Sequence, residues 1–188
     1  MRGVLKFVLA ATTAAIIWAP VEARADGYVS PWVAAQFGSN IDSGRTAVGV
    51  DAGGMGAGIL GGEVDFGYSP SFFGTQNDFG HNTVITLMGN LIIGIPVETA
   101  SGAGIRPYLT GGLGLIRMQI DGGTVFNVTE SNNAFGWDAG AGVMGFFGSH
   151  IGLRGDARYF RVFNGPVVHN LNLGGLNFWR VSAGLVFR

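Results

Sequence analysis

Phe178-Trp179-Arg180-Val181-Ser182-Ala183-Gly184-Leu185-Val186-Phe187 runs almost to the end of the chain and decides its fold. Side chains of an extended strand alternate between two faces. Trp179, Val181, Ala183, Leu185 and Phe187 therefore share one face, and Arg180, Ser182 and Gly184 the other. The same division recurs upstream. Ile151, Leu153, Ala157 and Tyr159 oppose Arg154, Asp156 and Arg158. Phe135, Trp137, Ala139, Ala141, Val143 and Phe147 oppose Gly136, Asp138, Gly140 and Gly142. Val64, Phe66 and Tyr68 oppose Glu63, Asp65 and Gly67, while Ile85, Leu87, Leu91, Ile93 and Ile95 oppose Thr86, Met88 and Asn90.

Composition decides which face points outward. Of 188 residues 34 are glycine, 47% are hydrophobic and only 12% are charged, about half the usual charged fraction of ~25%. A soluble barrel would turn the large apolar residues inward and present a glycine-rich surface, which leaves the scarcity of charge unexplained. The reverse arrangement accounts for both: apolar side chains face lipid, while glycine and mixed charges fill a narrow lumen. A soluble eight-stranded calyx shares the period and is the alternative fold. Disorder is excluded by the apolar content. A net charge of −1 gives no electrostatic reason to expect nucleic acid, and the absence of cysteine removes disulfide scaffolds and thiolate metal sites.

Period-two segments fall at Pro31–Ser39, Arg45–Ala52, Ile59–Tyr68, Thr83–Val97, Ile105–Ile116, Ala134–Phe147, Ile151–Phe163 and Phe178–Phe187. Eight strands is an even number, as closure of an antiparallel barrel with both termini at one end requires. The odd links, Asn40–Gly44, Ser69–Asn82, Arg117–Asn133 and Pro166–Asn177, are mostly longer and polar. The even links, Gly53–Gly58, Glu98–Gly104 and Gly148–His150, are short and carry glycine. Long loops outside and short turns on the periplasmic side is the expected pattern, with the first link as its exception. Phe37, Tyr68, Phe72, Phe73, Phe135, Trp137, Tyr159, Phe163, Phe178 and Trp179 lie toward the outer ends, and Trp32, Phe146, Phe147 and Phe187 toward the inner ends. Two such bands are expected to form the interfacial girdles.

Before the first strand, Arg2 and Lys6 precede the uncharged stretch Phe7–Ala19, then Pro20 and the small-x-small sequence Ala23-Arg24-Ala25. This is the pattern of an export signal over residues 1–25, with the barrel domain over residues 26–188. The apolar stretch is too short for a membrane-spanning helix, which needs ~20 residues.

These features resemble the small outer-membrane β-barrel family, the eight-stranded type of the OmpA transmembrane domain and OmpX. The resemblance covers Asp26 to the C-terminus. Its most family-like stretches are Arg106-Pro107-Tyr108-Leu109-Thr110-Gly111-Gly112-Leu113-Gly114 and Gly136-Trp137-Asp138-Ala139-Gly140-Ala141-Gly142-Val143. Ile151-Gly152-Leu153-Arg154-Gly155-Asp156-Ala157-Arg158-Tyr159 and Ser182-Ala183-Gly184-Leu185-Val186-Phe187 complete the set. The resemblance implies an all-β, eight-stranded antiparallel up-and-down barrel in a Gram-negative outer membrane. It also implies a C-terminal assembly signal, whose glycine and aromatic positions Gly184 and Phe187 match, read by the barrel-assembly machinery. Arg188 departs from that signal by following the terminal aromatic, and by parity it faces the lumen. A wall-binding domain after the barrel is not expected, so the resemblance does not imply a wall-anchoring role.

Glu63, Asp65, Asp138, Arg154, Asp156, Arg158 and Arg180 all fall on the lumen face. Four acids against three bases is near balance, as pairing inside a narrow barrel requires. Such a network can act as a structural plug or as a gate, and a packed eight-stranded lumen favours the plug. G-x-G-x-x-G occurs at Gly56–Gly61 and Gly140–Gly145, but neither opens a helix, so nucleotide binding is not indicated. His81 near Asp78, and His169 in the last link, could meet at the outer rim, where Ser71 with His81 is the one candidate acyl-transfer pair. His150 is the remaining histidine, and two loop histidines make a weak metal site. Asn127-Val128-Thr129 fits a glycosylation acceptor that bacterial export makes irrelevant. The expectation is a monomeric, non-catalytic barrel without cofactor or metal. Its partners are outer-membrane lipid and lipopolysaccharide, the assembly machinery and a possible host or surface ligand; a lipid-modifying enzyme and, more remotely, a small-solute pore are the alternatives.

Overall fold

The computed structural model describes residues 25–38, 41–57, 59–70, 72, 81–98, 104–121, 129–148, 150–163, 167–168, 171–172 and 176–188. Residues 1–24 of the expected export signal, Ser71, Phe73, Asp78, Asn127 and His169 lie outside them. Eight long strands make the barrel: β1 Ala25–Gly38, β2 Ile41–Gly56, β3 Leu60–Pro70, β4 His81–Gly94, β5 Gly104–Asp121, β6 Thr129–Phe146, β7 Ile151–Val162 and β8 Asn177–Phe187. Val97–Glu98 pairs with the start of β5, and Val167–Val168 with Leu171–Asn172 in the last link.

Each strand pairs antiparallel with its sequence neighbour, and β8 pairs with β1 to close the sheet. Closure leaves the eight long strands without an unpaired neighbour side. The registers also define the shear. Hydrogen-bonded neighbours lead from Gly27 through Gly54, Gly62, Leu91, Gly111, Ala139, Tyr159 and Trp179 back to β1 at Phe37, ten residues above the start. A shear of ten over eight strands tilts the strands by about 40° and leaves a backbone radius of about 8 Å. Only side chains fit inside.

Parity runs as the composition demands. Leu91, Leu109, Leu113, Val181 and Leu185 point out and are exposed, while Arg158, Arg180, Asp65 and Met144 point in and are buried. The high glycine content belongs largely to the inside. A Cβ at Gly49 would overlap the Trp32 ring, one at Gly142 the Tyr108 hydroxyl and one at Gly112 the Asn90 amide. Glycine on one strand thus makes room for a large side chain from another.

Several strands run further than their apolar pattern, although β4, expected to reach Val97, breaks at Gly94. The fifth link was expected over Arg117–Asn133, yet Arg117 pairs with Asn133 and the ladder continues to Asp121 opposite Thr129. At the other end β2 continues through Gly53, Gly54 and Gly56 to a turn in which Ile59 N–H donates to the Gly56 carbonyl at 3.0 Å. Hydropathy marks the membrane border, whereas backbone pairing carries on beyond it.

The interior is layered. Toward the loop end Phe72, Val84, Ile116, Met118, Phe160, Val162, Leu176 and Phe178 form an apolar cluster. Toward the turn end, where Ala25 and Arg188 also lie, Met55, Ile92, Met144, Phe146 and Val186 pack with Tyr28 and Tyr108. The charged residues lie between. Four aromatics expected in the girdles are therefore lumenal: Trp32 is 6% exposed, Phe72 0%, Phe146 4% and Phe178 1%. Parity explains three of these, since Trp32 alternates with Val33, Phe146 with Phe147 and Phe178 with Trp179. The outer girdle that remains is Phe37, Tyr68, Phe135, Trp137, Tyr159, Phe163 and Trp179; the inner one is Phe147 and Phe187.

Candidate functional site

Neighbouring strands twist and tilt so that inward residues from all eight converge at mid-height. β7 supplies Arg154, Asp156 and Arg158, and β3, on the opposite side of the barrel, supplies Glu63 and Asp65. Arg158 Nη2 donates to Glu63 Oε1 at 2.7 Å and to Asp156 Oδ2 at 3.2 Å. Its Nη1 lies 3.6 Å from Asp65 and 3.7 Å from Asp138. Arg154 Nη1 reaches the other Glu63 oxygen at 2.5 Å and Asp51 at 3.1 Å. Both arginines therefore brace the full diameter. Arg180 from β8 forms a two-nitrogen fork on the Asp65 carboxylate, the geometry in which a guanidinium binds a carboxylate most strongly.

Neutral donors add to the carboxylate shells. Tyr28 donates to Glu63 at 2.6 Å, Tyr108 to Asp156 at 2.8 Å, Trp32 Nε1 to Asp51 at 3.1 Å and Ser182 to Asp156 at 2.9 Å. With its amide nitrogen toward Asp138, Asn90 donates there at 2.8 Å and accepts from Arg158 Nη1 at 2.7 Å. Aromatic faces hold the cations: Arg180 lies 4.2 Å from the Trp32 ring centre and 4.7 Å from Phe160, and Arg154 5.0 Å from Tyr108. Phe160 stacks in turn on Phe178 at 4.8 Å, which meets Phe72 edge-on at 5.2 Å. The column continues from the charged layer into the loop-end apolar layer without a break.

All seven charged residues singled out in the sequence lie inside the barrel, each 6% exposed or less. Asp51, 1% exposed, joins them and makes five acids against three arginines, not four against three. Tyr28, Trp32, Asn90 and Tyr108 were not singled out for the network. Parity within their own strands could have found them, because Asp51 alternates with Val50 and Ala52, and Tyr108 with Pro107 and Leu109. Arg106 also enters the lumen, nearer the turn end, with its guanidinium 5.5 Å from the Phe146 ring.

The two residues expected to form an assembly signal, Gly184 and Phe187, have different surroundings. Gly184 faces inward, where a Cβ would come within 2.9 Å of Trp32 Cβ. Phe187 faces outward opposite Val29 and Ile151. Arg188 places its guanidinium 3.7 Å from the centre of the Phe146 ring at the lumen mouth, while its N–H donates to the His150 carbonyl at 2.9 Å. Ser182 is hydrogen-bonded to Asp156 rather than to a base. Of the rim residues weighed for acyl transfer, only the His81 backbone is described, in β4.

The arrangement is a cross-braced ionic layer closed above and below by apolar side chains. The fold is shared with solved outer-membrane proteins. Neisserial surface protein A superposes with a TM-score of 0.65 at 18% identity, over 86% of this chain and 96% of that one. Ail, the attachment invasion locus protein of Yersinia pestis, gives 0.52 at 11% identity over 86% and 96%. The N-terminal β-barrel domain of Pseudomonas aeruginosa OprF gives 0.51 at 14% over 87% and 98%. No curated protein sequence matches the chain. The outer membrane protein beta-barrel domain family model matches residues 7–187, nearly the whole chain. By its sequence, its closed eight-stranded topology and its lipid-facing wall, the chain belongs to the outer membrane protein β-barrel domain family.

Proposed function

We propose that this barrel is a non-catalytic, non-conducting element of the outer membrane that supports envelope integrity and presents its loops at the cell surface. One observation carries the reading. The lumen is occupied along its height by the turn-end apolar layer, the ionic layer and the loop-end apolar layer. Each carboxylate of the ionic layer is engaged by an arginine of the same layer, so Glu63, Asp65, Asp138, Arg154, Asp156, Arg158 and Arg180 serve as a brace. Residues 1–25 act as the export signal, and Gly184 with Phe187 as the signal for the barrel-assembly machinery. Lipid and lipopolysaccharide surround the wall, and the loops face a host or surface ligand. The likeness to Ail, whose name records attachment, supports the display role. The barrel acts as a monomer.

Planar-bilayer recording of the folded protein tests the closed lumen: no conductance steps are expected, and discrete steps would replace the plug by a pore. Lipid A mass spectra are expected to stay unchanged on overexpression, and a new acylation state would establish an enzyme. Deletion of the gene is expected to raise sensitivity to detergent or serum. Unaltered sensitivity together with unaltered surface attachment would refute both envelope roles.

A further inference from the structure

Among the residues whose side-chain exposure is described, the lipid-facing wall carries two charged side chains, Arg117 on β5 and Arg161 on β7, and both are exposed. Both are cations, and both stand at the loop end. Arg117 lies opposite Asn133, and Arg161 opposite Trp137, on the two flanks of β6. From strand spacing and residue rise their Cα atoms are about 16 Å apart. The strand tilt turns most of that offset into distance around the barrel rather than height. Between them Phe135 and Phe163 stack with centres 6.0 Å apart, and Trp137, Tyr159 and Trp179 form a contiguous aromatic row beneath.

Arginines that faced acyl chains would be costly, whereas at the interface the cost nearly vanishes and a phosphate gives a guanidinium a bidentate partner. Aromatic rings settle at the same level. We propose that Arg117 and Arg161, with the Phe135–Phe163 pair between them, hold the phosphate groups of a phosphorylated glycolipid in the outer leaflet. The proposal rests on the reading above that the loop end faces outward. It gives the wall a defined lipid seat on β5–β7, where a featureless apolar surface would bind lipids without preference.

The test measures binding of bis-phosphorylated lipid A by native mass spectrometry. It uses the folded protein in detergent, with dephosphorylated lipid A and phosphatidylglycerol as comparison probes. Arg117→Gln with Arg161→Gln is expected to lower the apparent affinity for bis-phosphorylated lipid A about tenfold. Neither comparison probe is expected to be affected. Both side chains are exposed, so faster migration of unboiled samples on gels is expected to persist in the variant. Equal binding by wild type and variant would overturn the proposal, as would binding of phosphatidylglycerol with the same loss in the variant. Either result would leave the closed barrel standing, because conductance and gel migration report on that separately.

Discussion

Arg158 stands at the centre of the ionic layer, fully buried, with Glu63, Asp156, Asp65 and Asp138 all within 3.7 Å. A cation there is worth little net stability against water, since its own desolvation offsets most of the attraction. Removing it alone is another matter, because several carboxylates then face one another without a counter-charge. Arg158→Met is expected to destabilise the barrel by about 3–5 kcal/mol, read as a lower urea midpoint for unfolding from lipid vesicles. Trp32 offers a finer contrast. Its ring fills the space left by Gly49 and Gly67 and its Nε1–H reaches Asp51. Trp32→Phe keeps much of the packing and loses the donor, so a loss of about 1–3 kcal/mol is expected in the same assay. The cluster's acids and bases were legible in the sequence wherever strand parity was followed. Their pairing was not, because Glu63 meets Arg154 and Arg158 only when strands four apart face each other across a closed lumen.

At the scale of an element, two rules act on the same strand and end at different places. Apolar alternation stops where lipid stops, but hydrogen-bonded pairing of β5 with β6 continues past it through Arg117, Gln119 and Asp121. Sequence reading therefore placed the strand ends too early on that hairpin. The membrane-facing rule is testable at Leu91, 67% exposed on β4 between Gly62 and Gly111. Leu91→Arg is expected to cost about 2–4 kcal/mol in vesicle-based unfolding, as a charge deep in the hydrocarbon should. The turn after β2 provides a case of the opposite sign. Ala57 holds φ at +48°, a left-handed conformation that disfavours a Cβ. Ala57→Gly is expected to stabilise by about 0.5 kcal/mol, the relief of strain outweighing the extra freedom of the unfolded chain. A drop in the urea midpoint would show that the alanine packs in a way its dihedral does not reveal.

For the whole molecule, closure is the property on which the rest depends. With β8 paired to β1 every long strand has two neighbours, so opening the barrel at any seam exposes a full row of unpaired backbone groups to lipid. Unboiled protein is accordingly expected to migrate faster than boiled protein in detergent gels, and identical migration would contradict the closed sheet. The sequence by itself determined strand number and the face that meets lipid. These follow from a period of two and from the scarcity of charge, both local properties of the chain. Only the tertiary structure decided the shear, the three-layer filling of the lumen and the partners of each charge. Trp32, Phe146 and Phe178 show why. Their nearness to a strand end is visible in the chain and points to a girdle, but whether they cap the inside or anchor the outside depends on parity within the closed barrel. There glycines on neighbouring strands open the room those rings occupy.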